Sequence, residues 1–342
     1  MKPINRKNRF IEKYEMFELV STIAGKNNLK SFNEDNKSKI ISCIKDLFDS
    51  INNPILLYGK QTENMFSFMA SCLPRCVLIK QEDTGSLFSN DTVKLPDFRV
   101  LLKNNEQLLI EVKNCHFNTK IKKFQIKTKE LQELNRYAEL MRVKLKIAIY
   151  WSNIATWTLV DTDKFTNRAN NSFIDIKTAM INNEMSLLGD YMLATIPPLE
   201  LKLHFKEDTM SPNLVNGVVD KVELYANKNL IKNELEREIA FNLILFGNWQ
   251  DELLVEYDVN SRCIVSVSKP IEPSSNNQIS IIGSLSSIIS KKFKYYTNYE
   301  KGTIPVFSDV ESRNLFINVN PDNYKGEVLQ LWRFEIVTRC SS

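Results

Sequence analysis

From Leu95 to Lys113 the chain reads LPDFRVLLKNNEQLLIEVK, in which apolar and polar side chains alternate with the period of two that half-buried strands require. Phe98, Val100 and Leu102 alternate with Asp97, Arg99 and Lys103, and then Leu108, Ile110 and Val112 alternate with Glu111 and Lys113. The pattern predicts a β-hairpin turning at Asn104, Asn105 and Glu106. Loop parity decides which charges meet. A three-residue loop would set Lys103 against Gln107, Asp97 against Lys113 and Arg99 against Glu111, all on one side of the sheet. A two-residue loop would break that arrangement unless a bulge restored it, so an odd loop or a bulge is expected.

Two carboxylates and a lysine on adjacent strands suit one chemistry well. Carboxylate oxygens are the hard ligands that Mg²⁺ prefers, and Mg²⁺ takes one or two of them while keeping waters and phosphate oxygens. Such an ion stabilises charge developing on a phosphodiester and lowers the pKa of a bound water, while a lysine orients that water or offsets negative charge. The expectation is phosphodiester hydrolysis with Mg²⁺.

Pro96-Asp97, a spacer and then Glu111-Val112-Lys113 in an apolar strand resemble the PD-(D/E)xK nuclease superfamily, the restriction-endonuclease-like fold. The resemblance implies a core of a helix, a three-strand meander, a second helix and further strands, and cleavage of DNA or occasionally RNA. It makes Asp97 and Glu111 metal ligands, with help from the Val112 carbonyl, and Lys113 the residue that orients the attacking water. The flanks agree with it. Gly59 to Leu73 reads as a helix and Cys76 to Lys80 as a strand; Phe124 to Met141 reads as the second helix, with Leu131, Leu134, Ala138 and Met141 at helical spacing. Leu145 to Trp151 and Thr156 to Val160 read as two more strands, so the likeness covers roughly residues 56 to 165.

In many members of that superfamily the first helix brings a glutamate to the metal. Glu63, four residues after Gly59, stands at the corresponding place as a ligand or base, and Glu82 and Asp83 are rival sources of the extra carboxylate. Several branches also use a polar residue from the start of the second helix. Lys127 falls in line with Leu131, Leu134 and Ala138 and is the candidate. The Gln-x-x-x-Tyr signature of one branch is not present, because Glu133 occupies the position four before Tyr137.

At 342 residues the chain has room for more than one domain, and 43% hydrophobic with 25% charged content is ordinary for a globular protein. The expected class is α+β: a helical extension over 1–55, the nuclease core with a mixed central sheet flanked by helices over 56–166, and an α+β accessory domain over 172–342, winged-helix-like or otherwise, beyond a polar boundary at Asn167 to Asn171. In the extension a helix is expected from Ser38 to Asp49. Further on, a strand is expected at Leu199 to Leu203, helices at Asn229 to Phe246 and Ile279 to Phe293, strands at Leu253 to Tyr257 and Cys263 to Val267, and a closing strand at Gln330 to Val337. No apolar run reaches eighteen residues and the start lacks one altogether, so a cytoplasmic protein without a signal peptide or membrane contact is expected. The six cysteines are scattered and the two histidines, His116 and His204, complete no zinc site, which argues against a histidine-based zinc hydrolase or an HNH-type nuclease.

Charge is uneven. Between Lys113 and Lys146 there are ten Lys or Arg against three Glu, a local +7 in a chain whose net charge is +4. Lys120, Lys122 and Lys123 are candidates for a nucleic-acid track beside the metal site. A second candidate is the basic and aromatic cluster at Lys291, Lys292 and Lys294, followed by Tyr295, Tyr296 and Tyr299, where lysines would take phosphates and tyrosines stack on bases. By analogy with the resembled family, the expected function is a DNA endonuclease of bacterial defence against foreign DNA, with a protein partner or a second copy of the chain left open. The alternatives are a non-catalytic nucleic-acid-binding or assembly subunit that keeps the fold, and a protein-interaction regulator.

Overall fold

The computed structural model describes residues 20–25, 27–29, 31, 33–51, 54–82, 87–117, 122–205, 218–258, 261–271, 279–298, 324 and 326–336. Asp83, Lys120, Tyr299 and residues 1–19 of the expected N-terminal extension lie outside these residues. Helix α1 (Glu34–Ile51) precedes α2 (Pro54–Cys72), β1 (Cys76–Gln81), β2 (Phe98–Leu102), β3 (Gln107–Cys115), β4 (Lys123–Lys127), α3 (Thr128–Met141), β5 (Lys144–Trp151) and β6 (Thr156–Asp161). Five of these strands form one mixed sheet in the order β1-β2-β3-β5-β6, with β3 and β5 parallel and every other pair antiparallel. For this sheet and its helices the order is helix, three-strand meander, helix and two strands, with β4, of another sheet, standing between the meander and the second helix.

Both faces of the sheet are covered, which is why β3 and β5 are buried almost continuously and can run parallel. On one face Met65, Phe66 and Met69 of α2 lie over Phe98, Val100, Ile110 and Ala148. Phe66 sits 5.6 Å from Phe98 and 5.5 Å from Trp157 between ring centroids. On the other face Leu131, Leu134, Tyr137 and Ala138 of α3 cover Leu109, Ile147, Ile149 and Val160.

The hairpin has its odd loop, one residue earlier than expected. Leu102 N–H donates to Glu106 O and Asn105 N–H to Leu102 O, both at 2.9 Å, so the loop is Lys103-Asn104-Asn105. Asn105 takes the left-handed conformation (φ 66°) that closes a three-residue hairpin. The parity is as expected but the register moves by two: Phe98 faces Ile110 and Arg99 faces Leu109, which brings Asp97 beside Glu111 rather than Lys113.

Three segments expected to begin helices are strands, the shortest being Asn229–Leu230, where the helix expected from Asn229 starts only at Glu234. Residues 123–127 alternate exposed and buried, with Phe124 and Ile126 inward, and β4 pairs with β8 (Asn171–Asp175), itself paired with β7 (Thr166–Arg168). The interval read as a domain boundary is therefore a hairpin within a small sheet packed on α3. After α4 (Ile176–Ile181) come β9 (Met192–Thr195), β10 (Leu199–Phe205), β11 (Val219–Ala226), β12 (Asn229–Leu230), α5 (Glu234–Phe246), β13 (Trp249–Asp258), β14 (Ser261–Pro270), β15 (Ser280–Ser284), α6 (Leu285–Asn298) and β16 (Leu331–Phe334). A further misread start is β15, which pairs with β9; α6 begins only where Ser286 N–H and Oγ–H donate to Asp190 at 2.9 and 2.6 Å. Burial raises the Asp190 carboxyl to about 6.

The C-terminal half is α+β, with the antiparallel orders β12-β11-β10-β14-β13 and β15-β9-β16, and it is not a winged helix. Nor is it separate. Leu193, Leu199, Leu243, Ile282 and Phe293 belong to the same core as Phe66 and Ile110. Phe293 of α6 lies 5.5 Å from Phe68 of α2, and Trp157 Nε1–H donates to Ser290 Oγ at 2.8 Å. No helix among the described residues is long and apolar enough to cross a membrane. A shared core makes a specific prediction: Phe293→Ala should cost about 3–5 kcal/mol, and urea denaturation followed by tryptophan fluorescence should show a single transition at a lower midpoint. Two transitions, only one of them moved, would mean that the halves fold independently.

Candidate active site

Strand β2 cannot extend backward beyond Phe98. Pro96 has no N–H to continue the ladder, so past that point the edge of β3 is met by a side chain instead: Val112 N–H donates to Asp97 Oδ2 at 2.6 Å. The backbone of Asp97 is fixed from the other side, where its carbonyl accepts from Glu82 N–H at 2.8 Å. A residue in a strand presents its N–H and C=O to the same edge, so the Val112 carbonyl also points past the end of β2 toward Asp97.

Glu111 is 1% exposed. Its Oε1 accepts from Lys113 Nζ at 2.7 Å and from Lys94 Nζ at 2.8 Å, while Oε2 is buried with no hydrogen-bond partner among the described residues. Glu130, in the first turn of α3, places Oε1 2.5 Å from Lys94 Nζ and 3.1 Å from Lys113 Nζ. Glu63 lies nine residues into α2, which begins at Pro54 and not near Gly59; it is paired with Lys60 at 2.7 Å and its charge reaches Asp97.

These neighbours set the protonation states. Burial first, and then the Glu111 charge, raise the Asp97 carboxyl to about 7 against the Val112 hydrogen bond, with Glu63 adding to the rise. Burial opposes charge on Lys113, yet Glu111 and Glu130 outweigh it and hold the ammonium above its ordinary range. Glu130 is held below the usual carboxylate range by Lys94 and Lys113 in spite of its burial. Asp97 with a raised pKa and Glu111 with an orphaned oxygen are what two carboxylates lacking a cation between them would show, so the donor set fits Mg²⁺ or Mn²⁺. Among the described residues no three His, Cys, Asp or Glu side chains gather as a metal cluster, so Glu63 does not close a three-carboxylate cage with Asp97 and Glu111.

The structure places the other sequence candidates as follows. Lys127 ends β4 with its side chain exposed; the helical stripe starts one turn later, and Glu130 fills the place assigned to it. Lys122 and Lys123 are exposed on and beside the same strand. The α6 lysines form no open track: Lys292 is 6% exposed, Lys294 Nζ lies 4.4 Å from the Tyr150 ring centroid, Lys291 reaches Asn248 Oδ1 at 2.5 Å, and burial lowers the pKa of all three. Glu82 is bound to Arg99 at 2.6 Å and to Tyr137 O–H at 2.7 Å, which takes it out of contention as a ligand. His116 is exposed beside Ser152. Sequence reasoning missed Lys94 and Glu130. Glu130 was findable, since it lies four and eight residues before the buried Leu134 and Ala138; Lys94 sits in a loop with no periodicity to mark it.

No family model matches the sequence, and no curated protein matches it. A Holliday junction resolvase is similar in structure over part of the chain. This is Hjc of Archaeoglobus fulgidus, an archaeal hyperthermophile, at 18% sequence identity; the match covers 32% of this chain and 82% of that one, with a TM-score of 0.26.

The raised Asp97 carboxyl has a measurable consequence. Between pH 4 and about pH 7 the folded protein keeps a proton on Asp97 that the unfolded chain has released, so this group's contribution to stability falls as pH rises through that window. Asp97→Asn removes the decline, and at pH 8 without divalent metal it should melt about 2 °C or more above wild type. Parallel pH profiles of Tm for the two proteins would refute the assignment.

Proposed function

We propose that this chain is a metal-dependent nuclease that hydrolyses phosphodiester bonds in DNA. The observation that carries the reading is the buried Glu111, with one oxygen committed to lysines and the other unpartnered next to Asp97. Apart from the interposed β4, the order of elements around it agrees with what the PD-(D/E)xK resemblance implies, and this supports the reading. Asp97, Glu111 Oε2 and the Val112 carbonyl would hold the Mg²⁺ or Mn²⁺. Bound there, the cation supplies a water of lowered pKa and offsets charge on the phosphodiester.

The chain's own groups do the rest. Lys113 is kept protonated by Glu111 and Glu130 and therefore acts as a donor and not as a base. Of its three N–H groups those two carboxylates occupy two, leaving one for the attacking water or a non-bridging phosphate oxygen. Asp97 Oδ2 stays on the Val112 N–H, which aims its second oxygen away from the ladder. The exposed Lys123 and Lys127 lie on one face of β4, with Lys122 just before the strand and Lys129 in the first turn of the helix that carries Glu130, and these lysines would serve as a basic stripe.

Cleavage of supercoiled, linear and single-stranded DNA and of RNA, with Mg²⁺, Mn²⁺ or EDTA, tests the proposal. Metal-dependent cutting of DNA is expected, falling about 10²-fold or more in Lys113→Ala and Asp97→Ala. Cutting that survives EDTA or Asp97→Ala would place the chemistry elsewhere. The stripe is tested separately by the salt dependence of DNA affinity: Lys123→Ala with Lys127→Ala should weaken binding on every sequence and reduce the slope of log K against log salt by about 2. An unchanged slope would remove these lysines from the track.

A further inference from the structure

Four charged groups close a ring beside the proposed metal site. Glu111 Oε1 meets Lys94 Nζ at 2.8 Å, Lys94 Nζ meets Glu130 Oε1 at 2.5 Å, Glu130 Oε1 meets Lys113 Nζ at 3.1 Å, and Lys113 Nζ returns to Glu111 Oε1 at 2.7 Å. Each ammonium bridges the same two carboxylate oxygens. Glu111 Oε1 is thereby saturated by two charged donors, and the buried Oε2 is the oxygen left over.

Phosphodiester-cutting sites with two metals hold the ions about 3.5–4 Å apart, with a carboxylate ligand between them and a further carboxylate on the second ion. Here Glu111 is the residue placed to be shared and Glu130 the residue placed to hold the second ion. The two oxygens that would do so already grip one cation supplied by the chain. Lys94 is also fixed in place: its backbone N–H donates to Glu133 O at 3.2 Å, which ties the loop carrying it to the helix carrying Glu130. With a side chain 38% exposed it is the more open of the two lysines in the ring.

We infer that the site takes a single divalent cation, at Asp97 and Glu111 Oε2, and that the Lys94 ammonium stands where a second cation would bridge Glu111 and Glu130. The inference rests on the nuclease reading and makes it more specific. Two of the three N–H groups of Lys94 are engaged by the carboxylates, which leaves one for a phosphodiester oxygen. Lys94 is in this sense a positioning residue for Glu111 and a fixed positive charge toward the substrate.

Counting Mn²⁺ tests this without any catalytic readout. The full chain is titrated with Mn²⁺ at pH 8 in the absence of nucleic acid, and free ion is read by electron paramagnetic resonance. The expected result is one bound ion in wild type, none in Asp97→Asn, two in Lys94→Met and one again in Lys94→Met with Glu130→Gln. Lys94→Gln, which keeps a neutral donor in the loop, should show the same gain as Lys94→Met. Two ions in wild type, or one in both Lys94 variants, would overturn the inference while leaving the nuclease reading in place. Failure of wild type to bind any Mn²⁺ would overturn both.

Discussion

A carboxylate that is almost wholly out of water cannot remain charged without cations close by, and Glu111 is the group on which this demand falls hardest. Its burial is a consequence of the mixed sheet: β3 is the central strand, with neighbours on both sides and helices on both faces. Its charge then dictates what surrounds it. Lys113 comes from two residues along the same strand, Lys94 from the loop before β2, and Glu130 from the first turn of α3 to balance the lysines. Three separate elements are thus held at one point by the needs of one side chain.

Asp97 solves a different problem with the same economy. At the place where Pro96 ends the backbone ladder, its carboxylate takes the next N–H of β3, so an interruption in the sheet becomes the site's opening. The interruption depends on the loop at the far end of the hairpin. With Asn105 in the left-handed conformation and three residues in the loop, Asp97 and Glu111 lie side by side; an even loop would send one of them to the face covered by α2.

Much of this was legible in the sequence because strand alternation is a local property. The hairpin, the strands on either side of it and the pairing of Asp97 with Glu111 and Lys113 on one face all derive from a period of two. The exact register did not, because two adjacent asparagines suit the turn equally and the pattern does not say which takes the left-handed position. The segment 124–127 was misread because Lys127 fits both the helical stripe and the strand alternation; its partner β8 lies more than forty residues on. Distance in sequence hid the rest: Asp190, which caps α6, is 96 residues from Ser286, and the Tyr150 ring that receives Lys294 belongs to another element of the core. A lysine beside tyrosines looks the same on paper whether it faces a base or the edge of a buried ring.

The contact of α6 with α2, β5 and β6 bears on how such a chain can vary. Phe68, Tyr150 and Trp157 face not solvent but a helix made from residues that come well over a hundred positions later. Recombination that kept the sheet carrying Asp97 and Glu111 and exchanged the residues after β6 would leave those aromatic rings without cover. Variation that leaves the fold intact is therefore confined to the outer strands and loops, because the half of the chain that looks exchangeable is the floor on which this sheet rests.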